Sequence, residues 1–93
     1  MVEQQCPKQG VIITLIKKID KALDILMVNQ KDERALQKYN HYSELLERVM
    51  FKCVGEGYNV HTPSIDNLTI NQRNVFDNAL NNVQRNRMLN WYH

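Results

Sequence analysis

The longest regular alternation of apolar and polar positions runs from Val11 to Val28. At 100° per residue, its apolar side chains share one side of a helix and its charged side chains occupy the other. A face of roughly 160° is wider than the stripe of a two-helix contact, so this helix, predicted over 10–29, should pack against two elements at once. The predicted core set is Val11, Ile12, Leu15, Ile16, Ile19, Ala22, Leu23, Leu26 and Met27.

A second helical pattern covers 32–54 and begins at Asp32, whose carboxylate can cap a helix. Because the connection to the first helix is short, the two are expected to run antiparallel as a hairpin. Asn29 is expected to end the first helix in the left-handed conformation, and Gly55 or Gly57 the second. The predicted core positions of the second helix are Ala35, Leu36, Tyr39, Tyr42, Leu46, Val49, Met50 and Cys53.

Thr69 and Gln72 have the spacing of a capping box and begin a third helix, predicted over 70–90. Its core side is short and ends at Val83, after which the same side becomes polar. Two alternatives follow: the helix ends near Asn86 and the tail folds back, or it continues and exposes an apolar end. The predicted core side comprises Val75, Phe76, Ala79, Leu80 and Val83.

The segments between and before these helices look irregular. Residues 55–68 are predicted to be a loop from which Tyr58, Val60, Ile65 and Leu68 pack onto the helices, and residues 1–9 a flexible arm. The whole chain, 1–93, is therefore predicted to be a single small all-α domain, an antiparallel helical hairpin plus a third helix in a three-helix bundle.

Composition adds limits on the class of protein. Hydrophobic residues at 43% and charged residues at 24% are typical of a globular domain, and a net charge of +2 does not by itself indicate a nucleic-acid partner. Cys6 and Cys53 fit no zinc-ligand spacing, so we expect free thiols in an intracellular, cytoplasmic protein without metal or cofactor, a disulfide being the lesser alternative. Charges interrupt the first apolar stretch, which excludes a membrane span there.

A line of cations follows the border of the core face on the second helix. Such a basic ridge could bind nucleic-acid phosphates. The alternative that we favour is an ordinary solvated face, partly neutralised by nearby glutamates, with Glu44 paired to Arg48. The basic ridge consists of Arg34, Lys38, His41, Arg48 and Lys52.

The third helix carries a polar face that its helical stability does not explain, because asparagine is a mediocre helix former. Asparagine can read adenine, but the cations and the short preceding turn of a DNA-reading helix are missing. A hydrogen-bonding face against a partner protein, or a neutral polar face, is therefore favoured. The face comprises Asn71, Asn74, Asn78, Asn81, Asn82 and Arg85.

The end of the chain is rich in the residue types that protein interfaces favour, namely Met88, Leu89, Trp91 and Tyr92. Either these side chains bind a partner, or Trp91 folds over the open end of the bundle and completes its core. We regard this aromatic terminus as the most informative functional feature of the sequence.

No catalytic constellation is evident. His41, Glu44 and His61 are compatible with acid–base chemistry, but no nucleophile has a base and an orienting group beside it. The sequence thus favours a non-enzymatic protein–protein interaction module, a regulator, adaptor or inhibitor that binds another protein, or a second copy in a homodimer, through the helix-three face and the aromatic terminus. Nucleic-acid binding is the alternative, and sequestration of a small anion near Tyr58 and His61 a weaker one. Small size and asparagine richness are compatible with a virus- or plasmid-encoded accessory protein.

Overall fold

The computed structural model describes the backbone of residues 4–90 and the side chains of residues 4–87. The protein is all-α, and the three long helices end within one residue of their predicted limits. One prediction is wrong: the segment 55–68 contains a fourth, one-turn helix, which begins at Pro63 because the fixed backbone angle of proline suits the first helical position. The helices are α1 (Gln9–Val28), α2 (Glu33–Gly55), α3 (Pro63–Asp66) and α4 (Ile70–Asn90).

Side-chain and glycine caps set most helix ends where the sequence predicted them. The backbone N–H of Ala35 donates to Asp32 Oδ1 at 3.0 Å, which caps α2. Thr69 and Gln72 form the reciprocal capping box of α4, with N···O distances of 3.3 and 3.2 Å. Gly57 takes the left-handed conformation after α2, at φ 85°. The expectation for Asn29 is wrong, since its backbone is extended, at φ −140°.

α1 is the central helix of the core and packs against both α2 and α4, as its wide apolar face predicts. α2 also packs against α4, so the three long helices contact one another pairwise. Val60 and Ile65 are buried from the connecting segment, while Tyr58 and Leu68 are half-buried against the same core. The largest fully buried side chains from the long helices are Phe76, Ile12, Ile16, Ile19, Leu46, Met50 and Val83.

Three predicted core residues lie at the surface instead. Val11 is 47% exposed, Met27 81% and Leu36 46%. α4 contacts α1 near Asp20, whose Oδ2 accepts a hydrogen bond from Gln72 Nε2 at 3.4 Å. A cleft between α4 and the hairpin is lined by Leu23 and Tyr39 on the hairpin side. Met27 and Leu36 lie beyond that contact, nearer to the turn between α1 and α2, so nothing in the described chain covers them.

The beginning of the chain is tied to the end of α2, which corrects two expectations. Cys6 and Cys53 are not free thiols but form a disulfide, with a Cα–Cα distance of 5.8 Å, and both are buried. Over residues 4–9 the predicted flexible arm is wrong as well: Asn59 N donates to Gln4 O at 2.8 Å and Cys6 N donates to Asn59 O at 3.0 Å. Residues 1–3 lie outside the described part of the chain.

The disulfide fixes the direction of the hairpin. Cys6 precedes the start of α1 and Cys53 lies in the last turn of α2, so these two helix ends are adjacent. The other two ends are joined by the short turn between Val28 and Glu33, and α1 and α2 therefore run antiparallel. None of the described helices is long and apolar enough to cross a membrane.

Candidate functional surfaces

The outward side of α4, which lies opposite its buried residues, is polar. Asn74, Asn78 and Arg85, at spacings of four and seven residues, are all exposed. Beside them, a cleft of about 90 Å³ lies between α4 and the hairpin, and Asn78 lines it together with Tyr39 and Glu47. This volume is well below the several hundred Å³ of typical small-molecule sites. The polar face predicted on the third helix is therefore available to a macromolecular partner.

α4 continues past the end of the core. Val83 is fully buried, but Arg87, four residues later on the same side of the helix, is exposed. The residues Gln84 to Arg87 are all exposed, and four consecutive helical residues point in all directions around the axis. No described part of the chain thus covers this helical turn. We call Gln84–Asn90 the projecting end.

Of the four residues of the aromatic terminus, two are placed by their backbone alone. Met88 and Leu89 belong to α4, which extends to Asn90, so the alternative in which the helix ends near Asn86 is wrong. The side chains of Met88 and Leu89, and the whole of Trp91 and Tyr92, lie outside the described residues.

The basic ridge forms one exposed line, but its members differ in their surroundings. Arg34, Lys38, His41, Arg48 and Lys52 are all exposed. Arg48 Nη2 contacts Glu44 Oε1 at 3.0 Å, which is the pairing predicted from the sequence; since both side chains are about two-thirds exposed, the pair contributes little stability. Arg34, Lys38 and His41 instead line a shallow groove with Gln37 and Tyr42.

A second groove adjoins the first and brings α1 to the ridge. Val11, Thr14, Leu15 and Lys18 line it, and Tyr42 belongs to both grooves. Lys18 Nζ lies 5.1 Å from the centre of the Tyr42 ring, within the range of a cation–π contact. Lys18 is not part of the predicted basic ridge, because that prediction follows the cations of one helix. The antiparallel hairpin is the signal that pairs the two helices.

A further surface unforeseen in the sequence lies at the turn of the hairpin. Ile25, Met27, Val28 and Leu36 are 42, 81, 90 and 46% exposed. We call them the apolar tip. The sequence does not distinguish these residues from core residues, because they continue apolar stretches whose other members are buried.

Two of the residues considered for acid–base chemistry have other neighbours in the structure. Glu44 is engaged with Arg48, and the His61 ring lies edge-on to Phe76, with centroids 5.4 Å apart. Neither Tyr58 nor His61 lines any of the three grooves described above. Within residues 4–87, no group of three His, Cys, Asp or Glu side chains could hold a metal ion.

The chain matches no protein-family model, no curated protein and no solved structure. The surfaces described above are therefore the basis for assigning a function.

Proposed function

We propose that the protein is a non-enzymatic interaction module, a three-helix bundle that binds another protein through the outward side and the projecting end of α4. The observation that carries the proposal is the loss of burial between Val83 and Arg87 within one continuous helix. The proposed site comprises Asn74, Asn78, Arg85, Met88, Leu89, Trp91 and Tyr92.

The composition of this segment supports a protein partner. Exposed asparagines and an arginine provide hydrogen-bond donors and acceptors, and methionine and aromatic residues provide apolar area; interfaces combine the two. A helix that continues beyond its own core retains its backbone hydrogen bonds and presents side chains with little loss of conformational entropy on binding. The role of regulator, adaptor or inhibitor follows from binding without catalysis.

Alanine substitution tests the proposal. We expect Leu89→Ala with Trp91→Ala to reduce capture of one specific protein from lysate of the source organism by at least about tenfold, as removal of central apolar anchors does. Urea unfolding should show a free energy of unfolding within about 0.5 kcal/mol of the unmodified protein, because Val83 is the last buried side chain within residues 4–87 and the proposal places Leu89 and Trp91 outside the core. Quantitative mass spectrometry of the captured proteins measures the first effect.

The apolar tip supplies the matched control. Met27→Ala with Val28→Ala also removes two exposed apolar side chains, and capture should be unchanged. Loss of capture in the control alone would place the binding surface at the tip and contradict the proposal, as would a large loss of stability in the Leu89/Trp91 variant. Sedimentation velocity on the purified protein tests whether the partner is a second copy.

A further inference from the structure

A second candidate binding surface is the side of the hairpin that carries the two adjoining grooves. α1 contributes Lys18 and α2 contributes Arg34, Lys38 and His41, so cations from both helices border one concave strip around Tyr42. Lys52 lies eighteen residues after Arg34, which is five full helical turns and places it on the same side of α2. We call these five residues the cationic strip.

The cations of the strip have no acidic partners among the described side chains. The ion pairs within residues 4–87 join Arg48 to Glu44 and Arg73 to Asp66 and Asp77. Arg48, one member of the basic ridge, is paired in this way, whereas the lysines and the arginine of the strip have no ion pair among the described side chains and can contact a ligand. One side of the hairpin thus carries four cations that have no ion pair within residues 4–87, in a protein with a net charge of only +2.

The extent of the strip indicates an extended ligand. Arg34 and Lys52 are about 27 Å apart along α2, from the rise of 1.5 Å per helical residue. A small anion would need converging donors, whereas spaced cations match the regularly spaced phosphates of a polymer. An anionic membrane fits less well, because a membrane-binding surface also needs exposed apolar side chains. Among the large apolar side chains that are exposed within the described residues, only Val11 lines one of the two grooves.

The surroundings of Tyr42 distinguish between double and single strands. Proteins that bind single strands stack bases on free aromatic faces. Here the Tyr42 ring is half-buried, Lys18 Nζ lies over it at 5.1 Å, and the His41 ring is tilted against it with centroids 5.4 Å apart. Little of the ring is left for a base. From this geometry we propose that the cationic strip binds the phosphate backbone of double-stranded nucleic acid, without reading its sequence.

This activity is separate from the protein-binding proposal, because it uses α1 and α2 and none of the residues of α4. Fluorescence anisotropy with a labelled DNA duplex of mixed sequence measures it. With four fully charged side chains on phosphates, the slope of log affinity against log salt should be about −3.6, or a loss of about 150-fold between about 50 and 200 mM salt. Lys18→Glu with Lys38→Glu should weaken binding more than about tenfold and reduce the magnitude of the slope by about two.

The control is Lys17→Glu with Arg87→Glu, which changes net charge equally at exposed positions that line neither groove. It should retain duplex binding within about threefold at about 150 mM salt, because both side chains lie outside the two grooves and their longer-range effect is screened. Absence of duplex binding near 50 mM salt would overturn the proposal, and so would equal loss in the control variant. Tighter binding to a single strand of the same length, or to vesicles with anionic lipid, would also overturn it.

Discussion

Thr62 is a buried residue whose polar group lacks a partner. Its side chain is 2% exposed, and Oγ1 has no hydrogen-bond partner among the described atoms, although the residue precedes α3 where a side-chain cap is common. A buried hydroxyl without a partner loses its hydration and gains nothing in return. Thr62 is thus a site at which the native sequence is not optimal for stability.

Replacement of this hydroxyl by a methyl group should stabilise the protein. We expect Thr62→Val to raise the free energy of unfolding by about 1 kcal/mol, since the volume is kept and the unpaired polar group is removed. Urea unfolding followed by circular dichroism measures the change. Thr14→Val is the control, because the exposed Thr14 hydroxyl donates to Gly10 O at 2.9 Å; this variant should show no gain. A loss of stability in Thr62→Val would mean that the hydroxyl is satisfied.

At the scale of elements, the disulfide joins the segment before α1 to the last turn of α2. Cys6 and Cys53 are 47 residues apart in sequence, so the bond closes a long loop in the unfolded chain. The loss of chain entropy for a loop of this length corresponds to about 4 kcal/mol of stabilisation, which real proteins often reach only in part. For a chain of 93 residues, this is a large share of the total stability.

Removal of the bond should therefore strongly destabilise the protein. We expect Cys6→Ser with Cys53→Ser to lower the free energy of unfolding by about 2–4 kcal/mol, measured by urea unfolding under non-reducing conditions. The unmodified protein in excess dithiothreitol should show a comparable loss. If alkylation and mass measurement find two free thiols in the purified native protein, the disulfide and this prediction are both contradicted.

The three long helices could be predicted from the sequence, but some of the contacts and the exposure of their residues could not. Periodicity and capping residues such as Asp32 and Thr69 are local signals, and they determined the three long helices. The disulfide and the exposure of Leu36 depend on which segments meet in space, and sequence spacing carries no such information. α3 has a usable local signal in Thr62 followed by Pro63, within the segment that was predicted to be a loop.

The candidate surfaces also divide into those that a local sequence pattern predicts and those that depend on which helices meet. Arg85 and the asparagines of α4 were identified from periodicity, because exposure on one helix follows from its own pattern. The cationic strip required the hairpin, since Lys18 joins Arg34 and Lys38 only when α1 lies beside α2. Pairings between helices are the part of a binding surface that a single sequence conceals.

For the molecule as a whole, we propose that the projecting end of α4 is a binding element, separate from the core and from the cationic strip. Within residues 4–87, Val83 is the last buried side chain of α4, and the cationic strip lies on the hairpin. If both proposals hold, this small chain binds two partners through separate surfaces.

Site-specific photo-crosslinking tests this claim most directly. A photoreactive amino acid is placed at Arg85 in one variant and, as the control, at Lys17 in another; both positions are exposed on helices. Illumination in lysate of the source organism, followed by mass spectrometry, is predicted to give one discrete protein adduct from position 85 and none of that species from position 17. No adduct at position 85, or the same set of adducts at both positions, would contradict the account.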